Sequence, residues 1–93
     1  MIKSFRHKGL ALFFASGKAS GIPAKLATRI RVRLAVLDKA LALADADVAG
    51  YRLHPLKGVR AGRWAIDVNG PWRITFEWGK DNHVYRVDLE QYH

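Results

Sequence analysis

Eight side chains in the second half of the chain carry the groups from which a reactive centre could be built: Arg52, His54, Lys57, Arg60, Arg63, Arg73, Tyr92 and His93. They are cations, imidazoles and a phenol. The three serines, Ser4, Ser16 and Ser20, lie elsewhere with no nucleophile elbow or triad context. One reaction suits such a set without help. RNA cleaves itself when its own 2′-OH attacks the adjacent phosphate, so a protein need supply neither nucleophile nor metal. It must take a proton from the 2′-OH, return one to the departing 5′-oxygen, and offset the extra charge on the crowded phosphate. His, Lys and Tyr can move protons, and the planar fork of Arg suits phosphate. Exposed aromatic rings can stack on unpaired bases. Each residue also has a plainer use. A solvated arginine on a sheet face would look like Arg73, His54 and Lys57 could be ordinary loop residues, and a terminal Tyr92-His93 pair could fray.

The elements that must position these groups can be read from periodicity. Ile2 to Phe5 could form a short strand. Lys8 to Gly17 reads as a helix with Leu10, Phe13 and Phe14 on one face, and Gly17 suits its C-terminal stop. Pro23 fits the first turn of a second helix expected to run to about Ala44. Its buried stripe would be Leu26, Ile30, Leu34, Leu37 and Leu41, with Lys25, Arg29 and Arg33 forming a solvent-facing basic ridge beside it. After Gly50 the period becomes two. Trp64, Ile66 and Val68 alternate with Arg63, Ala65 and Asp67. Asn69-Gly70 is a turn signal, and Trp72, Ile74, Phe76 and Trp78 then alternate with Arg73, Thr75 and Glu77. A second turn at Gly79 to Asn82 leads into a last strand over His83 to Leu89. The fold class is α+β: N-terminal helices on a small antiparallel sheet, one domain over residues 1–93, with one sheet face apolar and the other polar. The three tryptophans sit at core parity.

Composition narrows the partners. There is no cysteine, hence no disulfide framework and no thiolate metal site, and the four histidines lie at no metal-binding spacing. No cofactor is expected. No phosphate loop or dinucleotide-binding glycine motif is present. Sixteen Lys and Arg oppose eight acids, and the whole excess of +8 falls before Asp38, where no acidic residue occurs. Such a field points to a polyanion. Lys3, Arg6, Lys8, Lys25, Arg29, Arg33, Arg60 and Arg63 are the expected contacts to RNA or ribosome. The charged start and short apolar run Leu10 to Ala15 match neither a secretory signal nor a membrane span, so a cytoplasmic location is expected and no membrane partner.

Along its whole length the sequence resembles the HigB toxins, a branch of the RelE-like superfamily also called the plasmid maintenance system killer family. The resemblance lies in Met1-Ile2-Lys3-Ser4-Phe5 followed by His7-Lys8-Gly9-Leu10, and in Leu53-His54-Pro55-Leu56-Lys57-Gly58 followed by Arg60, Gly62 and Trp64. It continues in Trp72-Arg73-Ile74-Thr75-Phe76 and in the closing Tyr92-His93. It implies a RelE-like fold and metal-free cleavage of mRNA in the ribosomal A site through 2′-OH attack. It implies His54, Lys57, Arg73, Tyr92 and His93 as active residues. Arg73 would bind the scissile phosphate, and Lys57 and His54 would bind phosphate or shuttle protons. Tyr92 would orient or stack a base, and His93 would transfer a proton. The implied partners are a HigA-type helix-turn-helix antitoxin, the ribosome and mRNA, with operator DNA reached only through the antitoxin.

Relatives often end in Asp-Tyr-His, whereas this chain has Gln91-Tyr92-His93, which removes a carboxylate at that position. Glu90 is adjacent, but strand alternation turns it the other way. A non-cleaving RNA- or ribosome-binding protein of the same fold is therefore the alternative. A DNA-binding regulator is disfavoured, because no helix-turn-helix pattern is visible.

Overall fold

A computed structural model describes residues 1–92 of the chain; the expectation for His93 lies outside the described residues. Helix α1 spans Lys8–Ser16. His7 caps its start through Nδ1, which accepts the Leu10 N–H at 3.1 Å. Gly17 ends it with φ 79°, where a side chain would be strained, and returns its N–H to the Phe13 carbonyl. Leu10 and Phe13 are buried, but Phe14, expected on the same face, is 40% exposed.

Helix α2 spans Ala27–Lys39, preceded by a single 3₁₀ turn at Ala24–Leu26. It is shorter than its apolar period promised. Ala40 turns extended, and the Asp45 carboxylate takes the N–H groups of Leu41 and Ala42 at 2.9 and 3.1 Å. This local capture starts a separate 3₁₀ turn at Leu43–Ala46 and competes with continued helix. Leu26, Ile30, Leu34 and Leu37 form the buried stripe, while Leu41 leaves it and is 82% exposed.

Four antiparallel strands follow in sequence order: β1 His54–Pro55, β2 Arg63–Asn69, β3 Trp72–Trp78 and β4 Val84–Gln91. The three-strand meander expected from the alternation is thus flanked by a short extra strand that carries His54. On the other edge Met1–Arg6 runs parallel to β4, with Lys3 N–H on the Val84 carbonyl and Arg6 N–H on the Val87 carbonyl. This is the extended N-terminal segment anticipated at Ile2 to Phe5. The apolar sheet face (Ile66, Val68, Ile74, Phe76, Val84, Val87 and Leu89) packs with the helix residues into one core cluster. Trp64, Trp72 and Trp78 are half-buried against it. Among the described residues no helix is long and apolar enough to cross a membrane.

A bulge in β4 decides what the other face displays. Thr75 pairs with Asp88 but Glu77 pairs with Tyr85, so Arg86 and Val87 together oppose Phe76. Arg86 takes up the extra residue with φ 54°. Val84 and Val87 can then both enter the core, and the alternation beyond them sends Asp88, Glu90 and Tyr92 to the polar face. There they join Arg63, Ala65 and Asp67 from β2 and Arg73, Thr75 and Glu77 from β3.

Candidate active site

The polar face gathers its chemistry at the end where β1, the start of β3 and the end of β4 meet. The antiparallel register sets Arg73 between Asp67 on one side and Glu90 on the other. Neither carboxylate binds it. Asp67 accepts from Arg52 Nε at 2.8 Å and Nη2 at 3.3 Å, and from the Tyr92 hydroxyl at 3.1 Å. Glu90 accepts from Arg60 and from the Thr75 hydroxyl. Arg73 instead lies over the Tyr92 ring, its guanidinium carbon 4.2 Å from the ring centroid. Its Nε is buried and has no hydrogen-bond partner among the described residues.

Charge follows the same division. Burial pushes the Asp67 carboxyl up, but hydrogen bonds from Arg52 and Tyr92 outweigh it and leave the group below the ordinary carboxylate value. Burial likewise raises Glu90, and it is overcome by hydrogen bonds from Arg60 and Thr75 and by the charges of Arg60 and Arg73. Both acids stay ionised at neutral pH, each matched to an arginine. Arg73 is left as the cation whose donors are unspent, on a ledge where an incoming phosphate could take them.

His54 stands opposite Ala65 in the register, two residues along the same face from Asp67. Its ring is fixed by a local loop. Arg52 sits in the left-handed region at φ 52°, and its carbonyl lies 2.7 Å from His54 Nδ1. The far nitrogen, Nε2, is 3.4 Å from the Tyr92 hydroxyl. Arg52 therefore works twice, with its backbone on His54 and its side chain on Asp67 and Tyr92. Lys57 is exposed at the start of the 3₁₀ turn Gly58–Arg60, on the loop leaving β1.

The structure thus joins His54, Arg73 and Tyr92 in one cluster and leaves Lys57 at its edge. The expected basic contacts divide. Lys3, Arg6, Lys8, Lys25 and Arg29 are exposed. Arg33 is not part of a solvent-facing ridge: it is buried, stacks on Tyr51 at 4.3 Å, and donates to the carbonyls of Asp67 and Arg29. Arg63 is buried too, bound to Glu77 at 3.1 Å, Thr75 at 3.0 Å and the Arg86 carbonyl at 2.9 Å. Burial lowers the pKa of both guanidiniums. Arg60 is tied to Glu90. Arg60 and Arg63 brace the polar sheet face, whereas Arg33 ties α2 to β2.

Sequence reasoning missed Asp67 and set Glu90 aside. Glu90 was reachable through alternation, but Asp67 was not: a two-residue turn at Asn69-Gly70 would set Ile66 opposite Arg73, and the irregularity between Asp67 and Asn69 brings Asp67 there instead. Glu90 shares the face of Tyr92 because the two are separated by two residues. Among the described residues no group of three or more His, Asp or Glu side chains is placed to hold a metal ion.

A family model described as the RelE-like toxin of the type II toxin–antitoxin system HigB matches residues 3–93. The chain belongs to the HigB-like toxins. A curated relative, Endoribonuclease HigB from Proteus vulgaris, is 46% identical over 93 residues, with all of both chains covered. Among solved structures, YafQ from E. coli strain BL21(DE3) is similar with a TM-score of 0.57 at 17% identity, covering 97% of the toxin and 92% of that chain. At that identity the likeness supports the shared RelE-like fold, which is the α+β architecture the alternation predicted.

Proposed function

We propose that this toxin is an endoribonuclease that cuts mRNA in the ribosomal A site by attack of the RNA's own 2′-OH, with the polar end of the sheet as its site. The observation that carries the proposal is Arg73: a buried-stem guanidinium, stacked on Tyr92 and unpaired between two carboxylates that are already satisfied. A cation kept free in this way is suited to a phosphate. As the 2′-oxygen attacks, the phosphorus becomes five-coordinate and its non-bridging oxygens gain charge, which the arginine fork stabilises more strongly than in the ground state. Lys57 at the rim adds a mobile second cation, and His54 supplies an imidazole for proton transfer. Tyr92 orients Arg73 and offers its remaining edge to a base. His93 stays a candidate for the second proton-transfer group. The products are a 2′,3′-cyclic phosphate and a 5′-OH end, and no cofactor takes part.

The exposed cations Lys3, Arg6, Lys8, Lys25 and Arg29 supply the salt-sensitive attraction to ribosomal RNA. A HigA-type helix-turn-helix antitoxin restrains the toxin and links it to operator DNA, and the site of action is the cytoplasm. The test is induced expression of the toxin and its Arg73→Ala variant, with mRNA 5′ ends mapped in both. Growth arrest with new ends inside translated codons, abolished by the substitution, is the expected result. The same RNA added without ribosomes should remain intact. Arrest without new ends would favour a non-cleaving RNA binder, for which Gln91 in place of a carboxylate is the one sequence argument.

A further inference from the structure

The hydrogen bonds around Tyr92 permit one arrangement of protons in which every contact is favourable. His54 Nδ1 lies 2.7 Å from the Arg52 carbonyl, an oxygen with no proton to give, so Nδ1 carries one. The Tyr92 hydroxyl has a single proton and three neighbours. Arg52 can only donate to it; Asp67 Oδ1 at 3.1 Å and His54 Nε2 at 3.4 Å compete to receive. The carboxylate is nearer, ionised and acceptor-only, so the phenol proton goes to Asp67. The phenol oxygen then turns its lone pairs to Arg52 and to Nε2. A bare Nε2 would meet lone pair with lone pair, whereas a protonated Nε2 makes a hydrogen bond.

We propose that Asp67 is a positioning residue that holds His54 in its proton-donating form, making Nε2 the acid that protonates the departing 5′-oxygen. The proposal rests on the RNA-cleaving reading above and names the acid within it. Among the described residues, four charged or titratable groups around the ring take part. Arg52 comes from the loop before β1, Asp67 from β2, Arg73 from β3 across the Tyr92 ring, and Tyr92 from the residue after β4. Arg52 and Arg73 oppose a charged imidazole; the Arg52 charge is offset by Asp67, and that of Arg73 is offset once the substrate phosphate is bound. The 3.4 Å contact to Tyr92 is long, so the Nε2 proton is held loosely enough to be passed on. In the step itself the P–O2′ bond forms and the P–O5′ bond breaks. The 2′-OH proton leaves to water, and O5′ receives the proton of His54 Nε2.

The test is imidazole ¹⁵N NMR on the full chain, comparing the toxin with Asp67→Asn at the pH of the cleavage assay. Removing the carboxylate charge that reaches His54 Nε2 through the Tyr92 hydroxyl, over contacts of 3.1 and 3.4 Å, should lower the proton occupancy of Nε2 by about three- to tenfold. With the toxin acting on ribosomes, kcat should fall by a similar factor while KM stays within about twofold, because phosphate binding rests on Arg73. Asp67→Glu should recover part of the loss. Tyr92→Phe keeps the carboxylate and deletes only the relay oxygen, so it serves if Asp67→Asn fails to fold; His54 must again lose proton occupancy. An unchanged His54 pattern in a folded Asp67→Asn or Tyr92→Phe chain overturns the wiring. The NMR readout needs no RNA. A toxin with an Asp67-dependent His54 proton that cleaves nothing therefore overturns the RNA-cleaving reading, and the acid role with it, while the hydrogen-bond assignment survives.

Discussion

Replacing Arg73 by alanine should separate activity from stability by a wide margin. Arg73 makes no ion pair and no side-chain hydrogen bond among the described residues, so its measurable support of the fold is the stack on Tyr92 at 4.2 Å. Such a contact at a half-exposed site contributes about 0.5–1 kcal/mol. Its removal also leaves Asp67 and Glu90 with their own arginines, so no buried charge is orphaned. Loss of a preorganised donor to a charged transition state costs far more, about 10²–10³ in kcat, or roughly 3–4 kcal/mol. Arg73→Ala should therefore unfold within about 1 kcal/mol of the native toxin in urea, yet cut ribosome-bound message at least a hundredfold more slowly. Arg73→Lys should recover only part of the rate, since a point charge replaces a planar fork. End mapping in a translating extract reads the rate, and urea melts read the stability. Cleavage by the alanine variant within about threefold of wild type would remove the phosphate clamp. A stability loss above about 3 kcal/mol would show that Arg73 is a structural residue.

Arg63 should behave in the opposite way. Its side chain is 8% exposed and holds Glu77, Thr75 and the Arg86 carbonyl, so Arg63→Ala should cost about 2–4 kcal/mol in urea melts by stranding those partners. Asp67 and Glu90 both titrate below their ordinary values of 3.8 and 4.5. The stability they contribute should be complete above those values and vanish as pH falls through the lower folded-state values; Asp67→Asn plus Glu90→Gln should flatten that acid limb in a series of urea melts. Neutralising exposed Lys3, Lys8 and Lys25 together should lower the slope of log affinity against log salt for ribosome binding by about two to three, whereas losing buried Arg33 should not change that slope. A slope that ignores the three lysines would place the ribosome contact on another face.

What was legible in the sequence was whatever depended on one local period. The stripe Leu26, Ile30, Leu34 and Leu37, the alternation of β2 and β3 and the stop at Gly17 each follow from nearby residues. The misplaced features depend on competition between neighbours or on partners distant in sequence. Leu41 fits the helical stripe, and only the Asp45 carboxylate capturing two N–H groups explains why the helix has already ended. Arg33 fits a basic ridge by spacing, but Tyr51 and the Asp67 carbonyl, reached only after folding, draw it inward. The same holds within the site. Arg73 could be singled out on its strand, but its status as the free cation depends on Arg52 and Arg60 having satisfied the two acids beside it.

Two arginines with left-handed backbones tie the core to that site. A non-glycine residue held in this region costs about 1–3 kcal/mol, a strain that persists only when its surroundings enforce it. Arg86 at φ 54° absorbs the bulge that lets Val84 and Val87 both reach the core. Without it, strict alternation from Val84 would turn Glu90 and Tyr92 toward the helices, burying a charge and removing the ring beneath Arg73. Arg52 at φ 52° bends the chain so that its carbonyl meets His54 while its guanidinium reaches Asp67. Each also returns a side chain to the network it helps arrange, Arg86 to Glu77 at 3.3 Å and Arg52 to Asp67 at 2.8 Å. Glycine would relieve the strain at both positions but forfeit those contacts. Arg86→Gly should thus be nearly neutral for stability and cleavage, since its ion pair is exposed. Arg52→Gly should preserve the fold and lose cleavage, because the unpaired Asp67 carboxylate is then free to neutralise Arg73.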